Sequence, residues 1–185
     1  SPGGSPVASE EIATAIHRLK LPSVAWIRET GASGAYWVAM SCSWIVAHPL
    51  SITGSIGVLA NSFGLEDLLR TLKLKYRRQV AGNMKDIGSP FREPTPEEQN
   101  YLQGVLNQIH QVFIDAFSQA RKMEPEKARA LANGIFYTGI DAREKNLVDA
   151  LGGKTEALDW LEKKIKEPVR LLDYEEKGKF MENLL

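Results

Sequence analysis

Within residues 22–49, two short apolar segments flank a longer apolar stretch. Of all the features of the sequence, this arrangement restricts the possible folds most. The segments 23–28 and 44–49 have the length and composition of buried strands, and Pro49 ends the second. The stretch 35–43, which is rich in good helix formers, is typical of a buried helix. Strands and helices alternate along the chain in this way, so we expect an α/β fold.

Apolar residues recur at helical spacing along much of the remaining chain. They predict helices at 7–20, 62–73, 95–122, 125–133, 141–147 and 154–166. Thr95 and Glu98 have the spacing of a capping box at the start of the longest of these helices. The segment 74–80 is predicted to be a strand, and the Gly- and Pro-rich segment 81–98 contains a long loop of the kind that often carries function.

The charge balance of the chain argues against nucleic acid as its partner. Lys and Arg together number 23, as do Asp and Glu, so the formal net charge is zero. A basic cluster at 73–78 is interpreted as a solvated segment. The chain has one cysteine, Cys42, so a disulfide within the chain is excluded, and no zinc-ligand pattern is present.

A single hydroxyl group, that of Ser33, lies among small residues at the junction between the first predicted strand and the buried helix. A serine needs a base to act as a nucleophile at neutral pH. The three histidines, His17, His48 and His110, belong to no recognisable motif, and the spacing of a GxSxG elbow is absent. The sequence therefore gives little support for a serine–histidine–aspartate triad.

Lysine is the other candidate base, and Lys85 differs from the other lysines in its small and apolar neighbours. A lysine serves as a base where burial lowers its pKa. The local sequence leaves open whether Lys85 is such a base or a solvated loop lysine, and Asp86 beside it is expected to pair with a basic residue. Glycines at 3–4 allow a backbone amide to approach a ligand closely, and Gly34 offers a second amide at a helix start.

Five strings, read in order, resemble the signal peptide peptidase A family of serine–lysine peptidases. The strings are SPGG, GASGAYW, HPLSITGSIGV, MKDIGSPFREPTPEE and GIFYTGIDAREKNLVDALGG. The resemblance extends over roughly residues 1–165, and the ordered set is far more specific than any one string. It implies a peptidase domain at 1–167, followed by a strand and tail at 168–185.

The resemblance also assigns site residues. It implies that Ser33 is the nucleophile and Lys85 the general base, with Ser55 as the hydrogen-bonding partner of the lysine. It implies an oxyanion hole made by the amides of Gly4 and Gly34. No metal and no cofactor is expected.

The family has a crotonase-like, Clp-protease-like fold of repeated ββα units, and the first strands of that fold are expected to be missing from this chain. The resemblance further implies a peptide substrate, chiefly remnant signal peptides, and assembly into a homo-oligomeric ring. Membrane association would depend on a segment absent from this chain, with the catalytic domain outside the cytoplasm.

Two other functions are compatible with the sequence. A crotonase-type acyl-CoA enzyme would share the paired-amide oxyanion hole, but the nearby acids Glu29 and Asp86 match no such pocket that we can identify. A catalytically inactive assembly scaffold would retain the fold without the chemistry. Coenzyme A binding and labelling by an active-serine probe distinguish these functions from a peptidase.

Overall fold

The computed structural model describes residues 1–172 and confirms the α/β class. In chain order, the elements are α1 (Pro6–Leu19), β1 (Val24–Ile27), β2 (Thr30–Ala32), α2 (Gly34–Met40), β3 (Trp44–Ala47), β4 (Ile52–Gly54), α3 (Glu66–Thr71), α4 (Pro96–Arg121), α5 (Pro125–Leu131), β5 (Phe136–Thr138), α6 (Gly139–Glu144), β6 (Ala150–Leu151) and α7 (Lys154–Ile165). Within the described part of the chain, no helix combines the length and the apolar character needed to cross a membrane.

The strands of residues 1–172 form two small sheets. One has the order β1-β3-β6 and is parallel throughout, with Val24 opposite Trp44. The other has the order β2-β4-β5, with β2 and β4 parallel and β5 antiparallel to β4. The chain thus changes sheet between β1 and β2, and the residue after β2 lies at the end of the second sheet.

Helix α2 packs between the sheets and the long helix α4. The Tyr36 ring contacts Phe117 edge to face, with ring centroids 6.0 Å apart, and Trp37 stacks on Phe113 at 4.5 Å. The four aromatic side chains lie in the buried core. These pairs fix the start of α2 against the C-terminal half of α4, because a close-packed core tolerates little displacement.

The predicted strand at 74–80 is wrong. A strand needs hydrogen-bonding partners from a neighbouring strand, whereas residues 74–80 are all exposed and pair with none of the described strands. Arg78 instead donates to the following loop, at Asn83 O and Asp86. The helix predicted at 62–73 is shorter than expected and spans Glu66–Thr71. A strand and tail are predicted at 168–185. Residues 168–172 of this segment contain no strand, and the rest lies outside the described residues.

The capping box at the start of α4 is confirmed. The Thr95 hydroxyl accepts from the Glu98 amide at 3.2 Å, and the Thr95 amide donates to the Glu98 carboxylate at 2.8 Å. Glu98 is buried, and Arg92 donates to both of its carboxylate oxygens. The Arg92 guanidinium and the Thr95 amide together lower the pKa of Glu98 from its ordinary 4.5 to about 2.

We expect Tyr36→Phe to lower the free energy of unfolding by about 1–3 kcal/mol, because it leaves a buried acceptor without its donor. The Tyr36 hydroxyl is fully buried and donates to Leu147 O at 2.7 Å. Urea denaturation measures the difference. Tyr101→Phe, at a side chain that is 58% exposed on α4, serves as the control and should leave the unfolding free energy unchanged.

We expect the stabilising contribution of Glu98 to depend on pH. A carboxyl group whose pKa is lowered by folding stabilises the native state above its unfolded pKa, and this contribution is lost as the pH falls through the folded value. The melting temperature of Glu98→Gln should therefore lie furthest below that of the wild type above about pH 5, and the gap should narrow towards pH 2. Circular dichroism measures the melting temperatures of the two proteins. A difference that stays constant with pH would contradict the lowered pKa of Glu98. Glu97→Gln, at an exposed residue of the same turn, is the matched control.

Candidate active site

Ser33 lies at a sharp turn between β2 and α2. Its φ is 53° and its ψ is −125°, in a region that residues other than glycine rarely adopt. The Ser33 amide donates to Gly54 O at 2.8 Å, which holds this conformation against β4. A strained serine between a strand and a helix has the arrangement of a nucleophile elbow, although the sequence lacks the GxSxG spacing.

The glycine turn at residues 3–4 packs directly against Ser33. Gly3 has a φ of 112°, and a methyl group at Gly3 would lie 2.7 Å from Ser33 Cβ and 2.8 Å from Gly34 N. A methyl group at Gly34 would lie 3.2 Å from Gly4 N and would collide with Ser9 Oγ. The amides of Gly4 and Gly34 therefore lie beside each other and close to Ser33, as an oxyanion hole requires.

The turn is held in place by backbone hydrogen bonds to β2. The Ala32 amide donates to Ser1 O at 3.2 Å, and the amino group of Ser1 donates to Thr30 O at 2.8 Å. In the described part of the chain, the amides of Gly4 and Gly34 donate to no backbone or side-chain acceptor. Both remain available to an oxygen atom of a ligand.

A cavity of about 540 Å³ opens beside Ser33. It brings together four of the five residues that the sequence singles out: Ser33, Ser55, Gly4 and Gly34. Ser55 also has a left-handed backbone, with a φ of 51°, and its amide donates to Ile135 O at 2.9 Å. Apolar side chains form much of the remaining wall, namely Trp37, Val58, Leu59, Ile109 and Phe113.

His110 also lines this cavity, although it belongs to no recognisable motif in the sequence. Its Nε2 atom lies 3.3 Å from Ile56 O, in the loop after Ser55. His110 precedes Phe113 by three residues and Phe117 by seven, so it falls on the buried face of α4. This spacing is the feature of the sequence that indicates a histidine facing the core.

Lys85 does not lie in the cavity. It is exposed, in the loop between α3 and α4, and its backbone amide donates to Gly82 O at 3.0 Å. The neighbouring Asp86 is paired with two arginines, Arg78 and Arg92, as the sequence led us to expect of this carboxylate. A single copy of the chain therefore brings Ser33 and Ser55 together but leaves Lys85 on a separate surface.

We expect Gly3→Ala to abolish labelling of Ser33 by a fluorophosphonate probe, because the new methyl group would displace the turn that carries the Gly4 amide. Gly4→Ala should retain labelling, because a methyl group at Gly4 meets nothing within 4 Å and leaves the amide intact. The rate of probe incorporation measures both effects, with circular dichroism as the check on folding. Equal labelling of the two variants would contradict the proposed close approach.

Several of the known proteins that this chain resembles are named as proteases. A provisionally named protease of Methanocaldococcus jannaschii is 38% identical over 88% of this chain and 53% of its own length. The chloroplastic serine protease SPPA of Arabidopsis thaliana is 32% identical over 91% of this chain and 25% of its own. Protease 4 of Salmonella typhi is 33% identical over 85% of this chain and 26% of its own. The chain spans about half the length of the first of these relatives, and about a quarter of the other two.

One similar solved structure is a mutant of the 1510-N membrane-bound stomatin-specific protease. The alignment covers 85% of this chain and 64% of the chain in that structure. The TM-score is 0.50 at 16% identity, which is a likeness of fold alone. The crotonase-like, Clp-protease-like fold predicted from the sequence is confirmed. Residues 15–167 match the profile of Peptidase family S49, and the chain belongs to that family.

Proposed function

We propose that this chain is the catalytic unit of a serine endopeptidase with Ser33 as its nucleophile. The observation that carries this proposal is the strained backbone of Ser33 beside two amides that have no acceptor among the described residues. Membership of a peptidase family supports it. An acyl-CoA enzyme would share the amides but would not need a strained serine between them.

The proposed reaction is acyl transfer to Ser33 with a lysine as the general base. A neutral lysine amine takes the proton from Ser33 Oγ, which bonds to the carbonyl carbon of the scissile peptide. The amides of Gly4 and Gly34 stabilise the resulting oxyanion, an effect worth about 3 kcal/mol per donor. The carbon–nitrogen bond then breaks as the lysine returns its proton to the leaving amine. Water, activated by the same lysine, hydrolyses the acyl-enzyme in a second step.

We infer that the lysine is Lys85 and that it comes from a neighbouring copy of the chain. Lys85 is exposed and outside the Ser33 cavity, whereas Ser55, its expected partner, lines that cavity. The segment 59–91, which contains Lys85, exposes many large apolar side chains. These are Leu59, Phe63, Leu68, Leu72, Leu74, Tyr76, Val80 and Phe91. A surface this apolar is typical of a contact between subunits, and a homo-oligomeric ring would cover it.

The cavity favours an apolar side chain of the substrate. Its volume of about 540 Å³ and its aromatic and aliphatic wall suit a large hydrophobic residue next to the scissile bond. Remnant signal peptides are rich in such residues, and we propose them as the substrate class. Such substrates would place the domain at a membrane, on its extracytoplasmic side.

Mixing two inactive variants tests both the dyad and its origin. Ser33→Ala and Lys85→Ala should each lose peptidase activity and fluorophosphonate labelling. A mixture of the two, unfolded and refolded together, should regain part of the wild-type activity, because some Ser33 residues then face a Lys85 from another copy. Hydrolysis of an apolar fluorogenic peptide measures the recovery.

Controls separate the possible failures. Lys85→Arg keeps the positive charge but cannot act as a base at neutral pH, so it should be as inactive as Lys85→Ala. Two active single variants would refute the dyad. Inactive single variants with no recovery on mixing would refute the contribution from a neighbouring copy. A wild type that assembles but takes up no probe would instead be a scaffold.

A further inference from the structure

Three forked ion pairs run in series through the loop that carries Lys85. Arg78 donates to both carboxylate oxygens of Asp86, at 2.7 Å each. Arg92 donates to the same two oxygens at 3.0 and 3.1 Å. Arg92 also donates to both carboxylate oxygens of Glu98, at the start of α4. We refer to these four residues as the loop cluster.

Three of the four side chains in the loop cluster are largely shielded from solvent, and that of Arg78 is 37% exposed. The side chain of Glu98 is 5% exposed, that of Asp86 15% and that of Arg92 21%. Partly buried, two-pronged arginine–carboxylate pairs have defined geometry, unlike the single contacts of exposed lysines and acids. Asp86 is also held in its ionised form, because its hydrogen bonds with Arg78 and Arg92 lower its pKa. The cluster therefore fixes the loop in one arrangement.

The cluster also holds the chain on both sides of Lys85, through the Asn83 carbonyl before it and the Asp86 side chain after it. Arg78 donates to Asn83 O at 2.7 Å, two residues before the lysine. Asp86, the next residue, accepts from both arginines through its side chain. The backbone that carries Lys85 is thus held by contacts that do not include the lysine side chain.

Helix α4 connects this loop to the Ser33 cavity. The cluster ends at Glu98, in the first turn of α4, and Ile109, His110 and Phe113 of the same helix form part of the cavity wall. Since a helix is a rigid element, the ion pairs to Glu98 hold the loop in a fixed position relative to α4. In an assembly of identical copies, fixing the loop relative to α4 also fixes it relative to each neighbouring cavity.

We propose that Asp86 and Arg92 are positioning residues that orient Lys85 for proton transfer without contacting the substrate. This inference rests on the proposed function, because it requires Lys85 to be the base. It adds that the rate of serine activation depends on charged side chains remote from the nucleophile. A displacement of about 1 Å at a reacting group can lower a rate by about 100-fold.

Arg92→Lys is the direct test, because lysine keeps the charge but cannot form two forked pairs. The rate constant and the end point of fluorophosphonate labelling are measured separately on the assembled protein. Misplacement of Lys85 should lower the rate constant at least about tenfold while the end point stays at the wild-type level. Hydrogen exchange of residues 82–92 should become faster in the same sample.

Arg121→Lys is the matched control. Arg121 forms a forked pair with Asp149 at 2.7 and 3.2 Å, and the two side chains are 12% and 18% exposed. This pair is of similar burial but lies outside the loop cluster. Arg121→Lys should label at the wild-type rate, even if it lowers the melting temperature as much as Arg92→Lys does.

Each outcome has a defined meaning. A wild-type rate constant for Arg92→Lys, or a lower end point at an unchanged rate, would overturn the positioning role. Should Arg92→Lys fail to fold, Asp86→Asn replaces it and is judged by the same two quantities. If Lys85→Ala is still labelled, Lys85 is not the base, and this inference is refuted as well. Loss of labelling in Lys85→Ala, with a wild-type rate in Arg92→Lys, would leave the proposed function standing and reject the positioning role alone.

Discussion

The candidate site depends on how closely the Gly3–Gly4 turn approaches the junction at Ser33 and Gly34. No side chain can occupy Gly3, since even a methyl group would overlap Ser33 Cβ and the Gly34 amide. That contact places two amides side by side, and hydrogen bonds between Ser1 and β2 keep them there. The cavity, the strained serine and the helix α2 behind it are all arranged around this meeting of two backbone segments.

Much of the fold could be predicted from the sequence, because local patterns determine it. The helices α1, α4 and α7 follow from apolar periodicity, and the start of α4 follows from Thr95 and Glu98. The segment 74–80 was mispredicted because its composition suits a strand while the described fold offers it no partner. Whether a strand forms depends on a neighbour, which a local pattern does not reveal.

The site was predictable in its residues more than in its geometry. Four of the five residues singled out in the sequence meet at one cavity, and the resemblance to a family selected them. His110 was missed because its position depends on how α4 packs against the loop after β4, which is a long-range contact. The position of Lys85 outside the Ser33 cavity could not be read from the sequence either, since spacing along a chain does not show how distant segments pack.

The backbone conformation of Ser33 lowers the stability of the fold, and its hydroxyl does not compensate by capping the helix that follows. Its left-handed φ of 53° is one that glycine adopts more easily, and its side chain does not cap α2. Replacing Ser33 by glycine should therefore raise the stability of the fold. Folding alone therefore favours glycine at this position over the serine that the chain carries.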